Sequence, residues 1–341
     1  MSTTNLCCKK EVEGIKMKER LLVIQNLTKN YGKFRALNGL NMEIKKGELF
    51  GFVGPNGAGK TTTIKIIAGL LKTDIGQILL EGKDITKDPH ILKENIGYVP
   101  DYFGVYDNLK TMEYMEFYAS TYGLVGKEVR ELCLELMEIV GLEGKENQYV
   151  DALSRGMQQR LCLARALVHN PKILILDEPA SGLDPSSRVA MKNILMELTM
   201  NGKTILISSH ILSELSEMCS SIGIIQKGEM ILQGSIGEIV SSVNTMNPLM
   251  IQVLEKQEEA IMFLRTHPLV KTLAIAGNEF QIIFEGDAKE EVHLLQEMIE
   301  KKLSVISFGR KKDNLESIYM KITKEGEEKH DSYQSRLPVG D

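Results

Sequence analysis

The chain has 341 residues, 43% hydrophobic and 26% charged, an ordinary globular mixture with room for one large domain and a smaller one. Its net charge of −5 argues against a protein that coats nucleic acid through overall charge. No run approaches the roughly 18–20 apolar residues that cross a bilayer. The opening MSTTNLCCKKEVEGIKMKER has neither the apolar core of a signal peptide nor, with Ser2, a myristoylation start, so a cytoplasmic protein is expected.

Residues 1–20 are polar and aperiodic and read as a mobile leader. "LLVIQNL", "GLNMEI" and "GQILLEG" read as strands, with turns at Lys45-Lys46-Gly47 and Glu81-Gly82-Lys83. "LFGFV" (Leu49–Val53) reads as a buried strand, followed at once by a glycine loop and a helix. From about Asp101 to Asn170 the pattern is mainly helical: "KTMEYMEFYASTYG" and "VRELCLELMEIVGL" place apolar residues three and four apart. "KILILDEP" and "KTILISSH" are continuous apolar runs without alternation, as in parallel strands covered on both faces. "IGIIQKGEMILQG" reads as a closing hairpin around Lys227-Gly228.

Composition changes near Ser241–Pro248, dividing an α/β domain at 21–240 from a small α+β domain at 249–324. In the latter, "LMIQVLE" and "SVISFG" are strand-like and "TLAIAGNEFQIIFEG" is a hairpin around Gly277-Asn278. "EEAIMFLRTH", "EEVHLLQEMIEKKL" and a last segment "NLESIYMKIT" are helical. The polar end, 325–341, is expected to be disordered. There is no internal repeat. The five cysteines (Cys7, Cys8, Cys133, Cys162, Cys219) show no metal spacing, and Cys162, in the apolar run LCLARAL, is expected to be a buried free thiol. His267 and His293 lack ligand spacing and read as surface residues.

Gly54-Pro55-Asn56-Gly57-Ala58-Gly59-Lys60-Thr61 fits G-x-x-x-x-G-K-[ST] between a strand and a helix. Its glycines let backbone N–H groups turn inward onto phosphate oxygens, and the helix start adds partial positive charge. Lys60 supplies a full charge to β/γ-phosphates, and the Thr61 hydroxyl suits Mg²⁺. "ILILDEP" ends a buried strand with Asp177, placed to hold Mg²⁺ through water, and with Glu178, which points elsewhere and can orient or deprotonate an attacking water. "ILISSH" ends another at His210. A histidine there is commonly a solvated loop or helix-start group. The convergence of three strand ends at one sheet edge favours a γ-phosphate contact.

A second helix begins at "ALSRGMQQR" with a hydroxyl and a bare glycine, and Met157, Leu161, Ala164 and Val168 give it an apolar stripe. A plain Ser154 cap and an anion site both fit this start.

In this order the motifs resemble the nucleotide-binding subunit of ABC transporters over about residues 20–235. The resemblance implies a P-loop NTPase of the ABC ATPase type, with an antiparallel β subdomain and a helical subdomain at about 101–170. It extends the phosphate loop through Thr62, makes Leu153–Gln159 the signature, Ser181–Asp184 the D-loop and His210 the switch histidine, and stacks Tyr31 on adenine. It implies two copies, or a copy and a paired ABC subunit, packed head to tail around two ATP. Ser154 and Gly156 of one would meet the γ-phosphate held by the other. It further implies separate transmembrane permease subunits at the inner face of the membrane and export of a drug, antibiotic, peptide or sodium, with no direct nucleic-acid contact.

Two positions depart from the family. Met157 stands where the signature usually has Gln, which leaves the backbone amides available. Asp101 stands where the Q-loop usually has Gln; a carboxylate there either ligates Mg²⁺ more strongly than an amide or points away, leaving the loop to contact a membrane partner. Tyr102, Phe103, Val105 and Tyr106 form an aromatic patch, explained by core packing or, through the resemblance, by a groove for a permease helix. A soluble ABC ATPase acting on ribosomes or DNA is the alternative, disfavoured by the acidic, unrepeated chain.

Overall fold

The computed structural model describes residues 20–86, 88–102, 104, 108–244 and 248–310. The expected leader with Cys7 and Cys8, the helix at 314–323, the tail at 325–341, and Phe103, Val105 and Tyr106 lie outside the described residues.

Two 12-residue strands, β1 (Arg20–Tyr31) and β2 (Phe34–Lys45), form a hairpin longer than the apolar runs that announce it. With β4 (Ile75–Leu80) and β5 (Lys83–Asp84) they make an antiparallel sheet of order β2-β1-β4-β5. Leu22 pairs with Leu80 and Ile24 with Ile78, so one face is apolar throughout.

The second sheet has the order β10-β9-β3-β8-β7-β6. Its strands are β3 (Leu49–Val53), β6 (Ile96–Val99), β7 (Ile173–Leu176), β8 (Thr204–Ser209), β9 (Ser221–Gln226) and β10 (Glu229–Ser235). Every residue of β3, β7, β8 and β9 is buried, which explains their unbroken apolar runs. All pair in parallel except β10, an antiparallel edge strand whose exposure alternates. The edge strand β6 carries no clear pattern, being four residues broken by Gly97 and half-buried Tyr98. The short helix before it, α2 (Pro89–Asn95), is marked only by its Asp88 cap and leading proline.

α1 (Lys60–Ile67) follows β3. The region expected to be helical holds α3 (Thr111–Thr121), α4 (Lys127–Ile139) and α5 (Arg155–Leu167). α5 is buried at Leu161, Cys162, Leu163, Ala164, Ala166 and Leu167, all round rather than along a stripe, because α3, α4, β6 and α6 (Pro185–Met200) all pack against it. Cys162 is a buried free thiol, as are Cys133 and Cys219. α7 (Leu212–Ser216) follows β8. Among the described residues no helix is long and apolar enough to cross a membrane.

A second compact unit begins at Gly237, inside α8 (Ile236–Asn244). It runs β11 (Leu249–Val253), α9 (Gln257–Thr266), β12 (Val270–Ala276), β13 (Glu279–Phe284), α10 (Ala288–Glu300) and β14 (Val305–Arg310). The antiparallel order β12-β13-β11-β14 is that of the split βαβ class. His267 departs from the surface reading: its side chain is 9% exposed, between the Phe263 and Phe284 rings at 5.8 and 5.9 Å, with Nε2 3.6 Å from Glu297. His293 is exposed.

Glu81, at the β4–β5 turn, ties the antiparallel sheet to its neighbours. It accepts from Lys172 Nζ at 2.6 Å, just before β7, and from Lys46 Nζ at 2.7 Å, just before β3. These two ammonium groups lower its pKa from 4.5 to about 2. A depressed carboxylate contributes stability above its unfolded pKa, which is lost as pH falls through 4.5 towards 2. Its side chain is 34% exposed, so screening holds the contribution near or below about 1 kcal/mol. Glu81→Gln is expected to lower the melting temperature by about 2–4 °C at pH 7. The difference should vanish in melts recorded at pH 2.

Candidate functional site

The strands β3, β6, β7 and β8 run in parallel, so the segments that follow them emerge on one edge. There the loop Gly54–Gly59, Asp177-Glu178 and His210 come together. The crest of the loop, Pro55, Asn56 and Gly57, is exposed, while Gly54, Ala58, Gly59 and Lys60 are buried. Gly59 has φ +111°, and a Cβ there would lie 2.7 Å from Leu37 Cδ2 and 2.9 Å from Ala36 O, so only glycine fits. β2 and the β9–β10 turn brace the loop: Gly228 N donates to Ala58 O at 2.9 Å, and Asn38 N to Gly228 O at 3.0 Å. No side chain caps α1, leaving its first N–H groups for an anion. Thr62 is half-buried on the first turn.

The Lys60 ammonium donates to Gly54 O at 2.7 Å and Pro55 O at 3.3 Å, and lies 3.4 Å from Glu178 Oε1. Thr61 Oγ1 donates to Asp177 Oδ1 at 3.3 Å. Asp177 is 2% exposed; burial pushes its carboxyl above the ordinary range, opposed by hydrogen bonds from Ser208 and Thr61 and assisted by the negative charges of Asp101 and Glu178. A divalent cation between that carboxylate and the Thr61 hydroxyl fits these hard oxygen donors and offsets the burial of charge.

Ser208 is the residue that sequence reasoning missed. Fully buried near the tip of β8, it donates to Asp177 Oδ1 at 2.8 Å and accepts from Glu178 N at 3.0 Å. The available signal was two serines closing an apolar strand, where buried hydroxyls need partners. Glu178 has φ +46°, a left-handed conformation for a non-glycine residue that costs about 1–3 kcal/mol. The turn carries its side chain off the strand line, so that Oε2 accepts from His210 Nδ1 at 2.8 Å. A carboxylate only accepts, which assigns the proton to Nδ1.

Asp101 stands exposed just beyond β6, close enough to Asp177 to raise its pKa but not hydrogen-bonded to it. The loop before it is held by buried Gln159 of α5, whose Nε2 donates to Pro100 O at 3.4 Å. Tyr102 is 85% exposed. Tyr31 sits half exposed at the β1–β2 tip opposite Phe34, with Lys29 Nζ 6.0 Å from its ring centroid. Its hairpin reaches the phosphate loop through Ala36–Asn38 rather than through the ring.

Ser154, Gly156 and Asp184 form a separate cluster. Ser154 caps α5, accepting from Met157 N at 3.3 Å. Asp184 caps α6 and accepts from the Ser186 and Ser187 hydroxyls, both at 2.6 Å, which hold its carboxyl well below the usual range. Gly156 is buried against Ser187: an added Cβ would lie 2.7 Å from Ser187 Cβ. Arg155 lies over Gly182, so the two helix starts are packed together. Among the described residues neither Ser154 nor Gly156 hydrogen-bonds to the phosphate loop of its own chain.

A family model described as "ABC transporter" matches residues 37–181. Linearmycin resistance ATP-binding protein LnrL of Bacillus subtilis is 33% identical over 89% of this chain and 98% of its own length. Bacitracin transport ATP-binding protein BcrA of Bacillus licheniformis is 33% identical over 87% of this chain and 95% of its own. Nod factor export ATP-binding protein I of Ralstonia nicotianae is 31% identical over 89% and 94%. Among solved structures, the ADP conformation of MJ1267, an ATP-binding cassette of an ABC transporter, superposes with a TM-score of 0.61 at 28% identity, covering 64% of this chain and 92% of that one. A dimeric structure of MJ0796, a bacterial ABC transporter cassette, gives 0.58 at 29% identity, covering 63% and 98%. Likeness along nearly the whole of such relatives, over a sheet edge built for a triphosphate, places this chain in the ABC transporter ATP-binding family, as a subunit that binds and hydrolyses ATP.

Proposed function

We propose that two copies of this chain, or one copy and a paired ABC subunit, sandwich two ATP molecules and drive export through separate transmembrane permease subunits at the inner face of the membrane. The observation that carries this reading is the placement of Ser154 and Gly156. They begin a second helix that is capped by Ser154 and packed against the D-loop, away from the phosphate loop of their own chain. A second copy is the natural source of the phosphate they would meet. Relatives named for linearmycin resistance, bacitracin transport and Nod factor export support export as the direction. Residues 21–240 would form the ATPase domain, with about 101–170 as its helical subdomain, and 249–324 an accessory domain.

In this reading the backbone amides of Gly54–Thr62 and the Lys60 ammonium bind the phosphates, and Tyr31 stacks on adenine. Thr61 and Asp177, with Asp101 beside them, would hold Mg²⁺. When bound, Mg²⁺ neutralises charge on the β- and γ-phosphate oxygens. Phosphates compete with Glu178 for Lys60, leaving the Glu178 carboxylate held by His210 alone. Thus released on one side, it orients the attacking water and accepts its proton. His210 fixes that carboxylate and reaches the γ-phosphate. Asp184 holds the D-loop turn that faces the second copy.

Glu178→Gln is expected to cut ATP turnover by about 10²–10⁴-fold while retaining ATP binding. With Mg²⁺ and ATP it should elute as a dimer on size exclusion; a strictly monomeric variant, alone and with permease subunits, overturns the sandwich. Gly156→Ala should lower turnover at least about tenfold by forcing the two helix starts apart. Adding Ser187→Gly should restore much of it, read as a double-mutant cycle. Asp101→Asn should raise the Mg²⁺ concentration for half-maximal turnover; an unchanged titration removes Asp101 from the metal set. A multi-span protein should co-purify with the wild-type chain.

A further inference from the structure

At the opposite edge of the parallel sheet, before β6, β7 and β8 begin, lies a cavity of about 670 Å³ that takes no part in the nucleotide chemistry. Its size is that of a site for a drug-sized molecule. Its walls are apolar: Leu132, Leu136 and Ile139 from α4, Leu167 from α5 and Leu198 from α6. Into this lining the sequence sets two carboxylates. Glu135 interrupts the row 132–136–139 on the same face of α4, where the helical period calls for another apolar residue. Glu94, at the end of α2, faces the same space. Neither takes part in a hydrogen bond or ion pair among the described residues.

Lys203 is the cation in the lining, and its ammonium is already tied to Asn170 Oδ1 and to Pro171 O at 3.4 Å. Among the described residues the lining therefore carries two carboxylates against one engaged ammonium. Tyr122 adds an aromatic surface. One face of its ring is stacked on His169 at 4.0 Å and 6° between planes, yet the residue is 40% exposed and borders the cavity. His169 Nε2 is bonded to Ile96 O at 3.2 Å.

We propose that this cavity is a binding site for a hydrophobic organic cation, an apolar body carrying a quaternary or protonated centre. The body lies against Leu132, Leu136 and Leu198. The charge lies between Glu94 and Glu135, against the open face of Tyr122. An unpaired carboxylate on an apolar helix face and an aromatic ring with one free side are the groups that recognise such an ion. An anion of the same shape would meet net repulsion.

The test uses two ions of equal shape and opposite charge, tetraphenylphosphonium and tetraphenylborate, titrated calorimetrically into the full chain at low salt. The phosphonium is expected to bind at least about fivefold more tightly, with the preference shrinking as ionic strength rises. Glu94→Gln with Glu135→Gln, both at exposed positions, should leave the melting temperature unchanged and reduce the preference to about twofold or less. Ile139→Trp, which adds bulk to the lining from an exposed position, should abolish phosphonium binding. Equal affinity for the two ions, no binding of either, a preference that survives the double substitution, or undiminished binding to Ile139→Trp each overturns the proposal.

Discussion

The Ser208 hydroxyl is the joint on which the nucleotide edge depends. Neighbouring strands β7 and β8 end in parallel, and each leaves unpaired polar groups at its tip. Ser208 closes that gap in both directions, donating to the Asp177 carboxylate and accepting from the Glu178 backbone. Without it, Asp177 would be a buried charge with one weak donor, and the left-handed turn at Glu178 would lose the bond that compensates its strain. The two acidic side chains adjoin in sequence yet do different things because this hydroxyl pins one within the strand tip and turns the other out of it.

The same edge is held from the opposite side by the antiparallel sheet. Gly59 is wedged under Ala36 and Leu37, and the Lys227-Gly228 turn bonds both Ala58 and Asn38. The phosphate loop is thus clamped between two sheets rather than merely attached to a strand and a helix. Such a loop has its amides oriented before any anion arrives, which reduces the ordering entropy that binding requires.

What could be read in the sequence was what is local or strictly periodic. The loop Gly54–Thr61 is eight consecutive residues, and strands buried on both faces betray themselves as unbroken apolar runs. In β13, Phe280, Ile282 and Phe284 alternate with exposed neighbours, and the pattern is plain. β6 was hidden because four residues containing a glycine and a half-exposed tyrosine match no period. The all-round burial of α5 was hidden because helix amphipathicity records one neighbour, and α5 has four. Ser208 and Gln159 were hidden for another reason: their importance lies in a partner 31 or 59 residues away, and nothing in a strand-end serine or a helical glutamine announces that partner. His267 read as a surface residue for want of ligand spacing, whereas Phe263, one turn earlier on α9, and Phe284 of β13 close over it.

The chain Lys60–Glu178–His210 links these levels. In the structure Glu178 is shared, one oxygen held by the loop lysine and the other by the histidine after β8. Lys60 is buried to 5% exposure, so its attraction for Glu178 acts in a weakly screened setting, whereas the His210 side chain is 45% exposed. The ion pair with Lys60 is the contact that a triphosphate would take away, while the shorter hydrogen bond from His210 remains. In the proposed mechanism, a loop that brings phosphates to Lys60 also removes one restraint on Glu178, the group assigned to activate water. On that proposal, binding and readiness for chemistry are coupled through an exchange of partners at one ammonium group.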